Sequence, residues 1–420
     1  MPDATDAAAK DPARLAAWLS RNAVDSLPVG ALAAKLSKAR EERRPLRVKL
    51  GIDPTAPDIH LGHAVVLRKL AEFQRAGHKV VLIIGDYTAR VGDPSGRSEE
   101  RPMLSPEQID ANAATFQGQA LKILEDDPDR LEVRRNGEWL DMPMAELLGL
   151  VRTTTAAQLL ERDDFAKRWS ANEPISLLEL LYPLLQAYDS VAIDADVELG
   201  GTDQKFNLLL GRDIQRAYGK PEQAILTMPL LVGVDGRRKM SKSLGNQIGV
   251  TDTPQEMYGK TMSIPDEAIA EYRRLLLDEH DGPPDASGGA AVGAGEATPQ
   301  GSSARDAKRA LAHELVAWLH SEQDAQDAER HFERLFVEHD TPEEIAEAGF
   351  GGDGASVHLP GLIADEFGIS SSEARRLIDQ GAVTLGEAAL GRGEYDVPSD
   401  RADGQVLKVG KRRFRRLRAA

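Results

Sequence analysis

Apolar residues bunch between positions 46 and 52, in LRVKLGI, and the run stops at Asp53, Pro54 and Pro57. That pattern predicts a short buried strand closed by turn formers. From His60 to Ala76 the apolar positions recur at helical spacing, and 79–84, KVVLII, predicts a second strand ended by Gly85 and Asp86. Strand, loop, helix and strand within about 40 residues make a βαβ unit, whose parallel strands place ligand sites at their carboxyl ends. Helical spacing returns over 106–126, 175–189 and 204–218, and 225–232 reads as another buried strand.

Beyond Pro254 amphipathic helices take over, through 267–277 and 305–339. Between them, 281–303 is a Gly, Ala, Pro and Ser tract without large apolar residues, predicted to be a mobile loop because it cannot offset its own ordering entropy. After the glycines of 349–354, Leu359, Leu362, Ile363 and Phe367 mark one helix. Ser370–Ser372 cap a second over 373–380, ended by Gly381, and short strands are predicted at 382–385 and 405–409. No internal repeat is visible.

A chain of 420 residues exceeds one ordinary core and suggests two or three domains. With 41% hydrophobic and 29% charged residues and a mean hydropathy of −0.38 it has the composition of a globular protein. No apolar run approaches the ~20 residues of a membrane span, and the N-terminus lacks the basic start and apolar core of a signal peptide, so a cytoplasmic location without membrane contact is expected. The absence of cysteine excludes disulfides, thiolate metal sites and thiol nucleophiles. A net charge of −16 argues against a nucleic-acid partner until its distribution is considered. Residues 405–420 carry seven basic residues and no acid, a basic tail on an acidic body.

Two motifs carry chemistry. His60-Leu61-Gly62-His63 falls where the first loop meets the first helix, whose N-terminal N–H groups suit phosphate. Gly62 permits close approach of a base, and two histidines three apart can donate to a triphosphate. Taken alone the motif equally fits two surface histidines, or a metal pair without a third ligand. Lys239-Met240-Ser241-Lys242-Ser243 follows the late strand on a loop that can close over polyphosphate and neutralise a leaving pyrophosphate. An isolated K-x-x-K would read as a solvated basic turn, but the two motifs occur together and in this order on an α/β pattern.

At this pair the sequence resembles the class I aminoacyl-tRNA synthetases, and the intervening segments resemble the tyrosyl family of the bacterial type. The resemblance rests on KLGIDPTAPDIHLGH, IIGDYTARVGDPSGR, LLERDDF, YPLLQAYDS, DVELGGTDQKFN and KMSKSLGN, and resumes near Leu359 as an S4-type RNA-binding module. It implies a Rossmann-like doubly wound parallel sheet as catalytic domain over 1–240, an α-helical anticodon-side domain over 241–350, and a small α+β S4-like domain over 357–420. The implied reaction joins L-tyrosine to ATP, held as its Mg2+ complex, and then transfers the tyrosyl group to the 3′ end of tRNA(Tyr). The enzyme would have no metal site of its own and would be a homodimer.

Residue by residue, the resemblance assigns catalysis to His60, His63, Lys239, Lys242 and Thr55. ATP would be held by Asp53, Gly62, Asp203, Lys242 and Ser243, with Arg97 and Arg101 at the pyrophosphate unless they are ordinary exposed loop arginines. Tyr182, Gln186 and Asp189, spaced four and three apart on one helical face, would wall the tyrosine pocket with Asp93 and Gln204. Asp189 would accept from the substrate phenol, and Asp93, Tyr182 and Gln186 would hold its ammonium. Arg375, Arg376, Lys408, Lys411, Arg412, Arg413 and Arg415 would contact tRNA. Lys49 stands where many tyrosyl enzymes have a second hydroxyl-binding tyrosine. Either its stem covers apolar surface while its head reaches water, or it is a pocket cation pairing with Asp189. A tryptophan-specific sister enzyme, a small-molecule adenylyltransferase and a non-catalytic RNA-binding protein are the rival readings.

Overall fold

Strands β1 (Asp25–Leu27), β2 (Arg47–Ile52), β3 (Lys79–Ile84), β4 (Leu131–Arg135), β5 (Val197–Gly201) and β6 (Ala224–Met228) form one sheet in the order β1-β6-β5-β2-β3-β4. All neighbours are parallel except β1, which runs antiparallel along β6. In the computed structural model the described residues are 11–55, 58–94, 105–277, 303–336, 345–351, 356–386, 388–410 and 413–419. Arg97, Arg101, Lys411, Arg412 and all but the last residue of the 281–303 tract lie outside them.

The parallel strands read as unbroken apolar runs because both faces are covered, as with Val80–Ile84, all buried. Helix Leu61–Arg75 connects β2 to β3 and packs on β3 and β5, as the predicted βαβ unit requires. From β2 the chain proceeds outward through β3 and β4, then returns to lay β5 and β6 on the other side of β2. The order therefore reverses between β2 and β5, and a parallel sheet opens a crevice at the carboxyl ends of such a pair. The helix expected over 175–189 runs Leu177–Ala192, capped by Ser176, whose hydroxyl accepts from the Leu178 N–H, and by Glu179, which accepts from the Ser176 N–H at 2.9 Å. Short β1 has no apolar alternation to betray it, and its register on β6 is set by pairing alone.

The helical pattern over 305–339 resolves into two helices, Ala304–Leu319 and Glu322–Phe336. The break falls at His320, with φ −125° and ψ −105°, and Ser321 caps the second helix by accepting from the Asp324 N–H at 3.1 Å. Side-chain periodicity continues across the break, which is why the pattern alone concealed it. The span 267–277 is likewise irregular, a short helix Ile269–Tyr272 followed by a π-turn over Arg273–Leu277.

Packing divides the chain into two units, Met1–Ala325 and Gln326–Ala420. The second contains β7 (Glu347–Phe350), β8 (Ser356–His358), β9 (Val383–Leu385), β10 (Ala388–Ala389), β11 (Asp396–Pro398), β12 (Val406–Val409) and β13 (Arg413–Ala419). Five of them form a sheet in the order β10-β9-β12-β13-β7, so its edge strand β7 precedes residue 357. Helices Leu359–Phe367 and Ser371–Asp379 contribute Leu359, Ile363, Ala374 and Ile378 to a core shared with Val383, Leu407 and Leu417. The basic tail is itself strand β13, with Phe414 and Leu417 buried between its arginines. Among the described residues no helix is long and apolar enough to cross a membrane.

Candidate active site

The H-x-G-H loop enters helix Leu61–Arg75 with His60 as N-cap, and the two imidazoles stack with centroids 3.9 Å apart. A Cβ at Gly62 would stand 3.0 Å from the His60 ring, so glycine is what lets that ring lie over the helix start. Burial, His63 and Lys239 push His60 down to about 2, and burial with Lys239 pushes His63 down to about 4. Both are neutral near pH 7 and can offer phosphate hydrogen bonds rather than charge. His60 Nδ1 is buried without a hydrogen-bond partner among the described residues.

The lysine loop is built as a narrow hairpin beside this turn. Val232 and Lys239 form an isolated bridge, and Met240, 5% exposed, plugs the loop into the core with its Cβ close to Gly62. Asn246, which closes the segment KMSKSLGN but was assigned no role there, holds the loop together: its Oδ1 accepts from Ser241 N–H at 2.8 Å, while its Nδ2 donates to Lys239 O and to Asp235 Oδ2, each at 3.2 Å. Three residues on, Gly249 bridges His60, so the two motifs share one backbone framework. Lys239 Nζ rests on Asp203 Oδ2 at 2.8 Å and Lys242 Nζ on Asp58 Oδ2 at 2.6 Å. The Ser241 and Ser243 hydroxyls are 2.9 Å apart. Thr55 sits in a turn, its N–H donating to Asp53 O at 2.8 Å.

Besides the H-x-G-H turn and the lysine loop, two hydrogen-bonded chains join residues at the carboxyl ends of the strands. In the first, Tyr182 Oη donates to Asp53 Oδ2 at 3.0 Å, Thr88 Oγ1 donates to Asp53 Oδ1 at 2.7 Å, and Asn136 Nδ2 donates to Thr88 Oγ1 at 3.0 Å. It reaches Asp189, whose Oδ1 accepts from Trp139 Nε1 at 2.8 Å and whose Oδ2 accepts from Asn136 Nδ2 at 3.4 Å. In the second, Gln204 Nε2 donates to Asp93 Oδ2 at 2.8 Å, and Asn207 Nδ2 donates to Gln186 Oε1 at 2.9 Å and to Gln204 Oε1 at 3.1 Å. Asp53, Thr88, Asn136 and Gln204 all follow the carboxyl ends of their strands. Asn136, Trp139, Thr88 and Asn207 escaped the sequence reading, although Asn-Gly directly after a strand was a signal for a turn at a strand end. Burial pushes the Asp189 carboxyl up to about 6, against the opposing influence of Lys49, Trp139 and Asn136.

Lys49 departs from both expectations. It is fully buried, so its head does not reach water, and its ion-pair partner is Glu198 at 2.8 Å rather than Asp189. Its Nζ also donates to Gln186 O and Ser190 Oγ, both at 2.8 Å. The parallel register of β2 and β5 places Lys49 directly opposite Glu198, which is why the shorter reach wins.

In the second unit, Arg375 stacks over Tyr395, Lys408 over Phe414 and Arg415 over Phe367. Arg376 meets Glu373 at 3.3 Å and Arg415 meets Glu366 at 2.7 Å, whereas exposed Arg413 has no carboxylate partner among the described residues. Among the described residues no group of three or more His, Asp or Glu side chains is placed to hold a metal ion.

The family of class I tRNA synthetases for W and Y matches residues 41–337. The tyrosine–tRNA ligase of Moorella thermoacetica is 49% identical over 406 residues, covering 95% of this chain and 94% of that protein. The enzyme of the same name from Thermotoga maritima is 49% identical over 407 residues, covering 95% and 96%. Among solved structures, tyrosyl-tRNA synthetase of Archaeoglobus fulgidus complexed with L-tyrosine matches with a TM-score of 0.57 and 25% identity, over 76% of this chain and all of that one. A C-terminally truncated mitochondrial tyrosyl-tRNA synthetase of Aspergillus nidulans shares the fold, with a TM-score of 0.60 at 22% identity over 79% of this chain and 99% of that one. Sequence motifs, a parallel sheet whose order reverses between β2 and β5, and 49% identity over nearly the full length agree: the chain belongs to the tyrosine–tRNA ligase family of class I tRNA synthetases.

Proposed function

We propose that the crevice at the carboxyl ends of β2 and β5 is where this tyrosine–tRNA ligase activates L-tyrosine with ATP, and that the polar chains crossing it form the amino-acid pocket. The carboxylate of tyrosine attacks the α-phosphorus of ATP and pyrophosphate leaves; a ribose hydroxyl of the terminal adenosine of tRNA(Tyr) then attacks the adenylate's carbonyl, takes the tyrosyl group and releases AMP. ATP arrives with Mg2+ as a substrate complex. No covalent enzyme intermediate is required, so the residues act by positioning and by electrostatic stabilisation.

Asp93, Gln186 and Tyr182 bind the ammonium of tyrosine, and Asp189 accepts from its phenol. Asp53, Gly62, Asp203, Ser243 and Thr55 line the nucleotide side, with Arg97 and Arg101 toward the pyrophosphate. His60 and His63 donate as neutral imidazoles to the phosphates, while Lys239 and Lys242 leave Asp203 and Asp58 to meet charge on the departing pyrophosphate. The observation that carries this reading is Asp189, buried at 2% exposure with two fixed donors and a carboxylate held ready for a third. A buried acceptor discriminates for a substrate hydroxyl, because an analogue without one leaves it unpaired.

The second unit holds tRNA through Arg375, Arg376, Lys408, Lys411, Arg412, Arg413 and Arg415. A homodimer would give cover to Met144, Leu148, Trp169 and Leu177, large apolar side chains 59–80% exposed in the first unit. The catalytic domain over 1–240 and a helical domain from 241 that stops short of β7 would serve activation and the anticodon side, and the S4-like domain, extended back from 357 to include β7, would hold tRNA, in a cytoplasmic enzyme. The test is ATP–pyrophosphate exchange with each of the twenty amino acids. Tyrosine alone should support rapid exchange, whereas equal rates with phenylalanine would remove Asp189 from the hydroxyl, and exchange with tryptophan would favour the sister enzyme.

A further inference from the structure

Beneath the proposed pocket lies a charged cluster that the reaction does not use directly. Lys49 on β2 and Glu198 on β5 are 0% and 1% exposed, and their Nζ and Oε1 are 2.8 Å apart. The three N–H donors of an ammonium find three acceptors here, Glu198 Oε1, Gln186 O and Ser190 Oγ. None remains for a substrate. Glu198 Oε2 in turn accepts from Ser190 Oγ at 3.2 Å and from Gln223 Nε2. Gly211 leaves room for this packing, since a Cβ there would stand 2.6 Å from Gln223 Nε2. Gln186 and Ser190 flank Asp189 on helix Leu177–Ala192, so Lys49 ties the turn that carries Asp189 to the centre of the sheet.

We propose that Lys49 is a positioning residue for recognition of the tyrosine hydroxyl: balanced by Glu198, it anchors the Asp189 turn and keeps Asp189 a hydrogen-bond acceptor without touching substrate. This rests on the reading of Asp189 as the phenol's partner. Charged groups act on Asp189 from two sides, Lys49 from β2 favouring its ionised form and Glu198 from β5 opposing it, while Trp139 and Asn136 from the turn after β4 donate to it without charge. Glu198 moderates Lys49, and with the pair in place burial leaves the Asp189 carboxyl at about 6. Burying both charges is worthwhile for specificity rather than stability, because a buried ion pair seldom stabilises more than an apolar substitute.

The test is tyrosine affinity measured without ATP from pH 4.5 to 8, a range in which free tyrosine itself does not titrate, for wild type, Lys49→Met, Glu198→Gln and the double variant. Protonating Asp189 turns an ionised acceptor into a weaker neutral one, so wild-type affinity should fall on the acid side with a midpoint set by that group. Lys49→Met leaves Glu198 unopposed and should move the midpoint up by about one unit, while Glu198→Gln leaves Lys49 unopposed and should move it down by about as much. The double variant should lie between them. A merely structural cluster would weaken binding without opposite displacements, so midpoints that stay put or move together overturn the proposal. Should Lys49→Met fail to fold, Glu198→Gln alone must still lower the midpoint, and an unmoved or raised one overturns it. Asp189→Asn separates the two layers. If it binds tyrosine and phenylalanine as wild type does, the pocket reading fails. If it loses the preference while the Lys49 and Glu198 variants show no opposite displacement, only the role of Lys49 fails.

Discussion

At the scale of single residues, charge states decide what the site can do. Asp189 lies in a place where its ionised form is costly, and its carboxyl is pushed up to about 6. The native state therefore binds more protons than the unfolded chain between about pH 4 and 6, so this group's contribution to stability falls as pH rises through that window. The shift from 3.8 to about 6 corresponds to about 3 kcal/mol given up above it. Asp189→Asn should then gain in melting temperature relative to wild type as pH is raised from 4 to 7 in the absence of substrate. A difference that does not change with pH would contradict the assignment of that carboxyl. The same variant should lower kcat/KM for tyrosine by about 30- to 100-fold, the loss expected for one hydrogen bond to a charged acceptor. His60 and His63 have the opposite sign. Being depressed bases, they favour the unfolded chain as pH falls below about 6.5, and over the neutral range they carry no charge.

At the scale of elements, the lysine loop is a hairpin whose two cations rest on carboxylates. Those pairs are exposed to about 40% on the lysine side, so water screens them and they hold the loop only weakly. Nucleotide can displace them at small cost. Lys242→Ala should lower the rate of adenylate formation by about 100- to 1,000-fold while tyrosine affinity changes little, because the ammonium meets its charge only in the transition state. Rapid-quench measurement of adenylate separates the two, and loss of tyrosine affinity with an unchanged rate would make the loop a substrate clamp. Asp58→Asn removes the resting partner and should lower KM for ATP by no more than about fivefold, with kcat nearly unchanged. A raised KM would show that Asp58 serves the bound nucleotide instead.

At the scale of the whole molecule, every residue proposed for activation lies in the first unit, and the basic strand β13 lies in the second. Because β7 completes the sheet of that second unit, a clean truncation ends at Phe336 rather than near residue 359. Such a protein should retain tyrosine-dependent pyrophosphate exchange and charge tRNA poorly. The salt dependence of tRNA binding should flatten too, by about 0.7 to 0.9 in log–log slope for each phosphate that the full chain neutralises and the truncated one does not. Equal charging with and without residues 337–420 would refute an RNA-binding role for β13.

The βαβ start, the H-x-G-H and K-M-S-K-S motifs, the helical face bearing Tyr182, Gln186 and Asp189, and the basic tail were all legible in the order of the residues. Each depends on local spacing, and local spacing survives in one dimension. That order could not show that Asn136 and Trp139 would meet Asp189, because the segment after β4 and the helix Leu177–Ala192 are brought together only by the fold. Lys49 shows the difference most directly. Its position in a strand was legible, but its partner was chosen by the pairing of β2 with β5, strands joined by neither a short turn nor a neighbouring place in the chain. A residue's environment is settled by what folds against it, and here that was a strand 149 residues away by the count from Lys49 to Glu198.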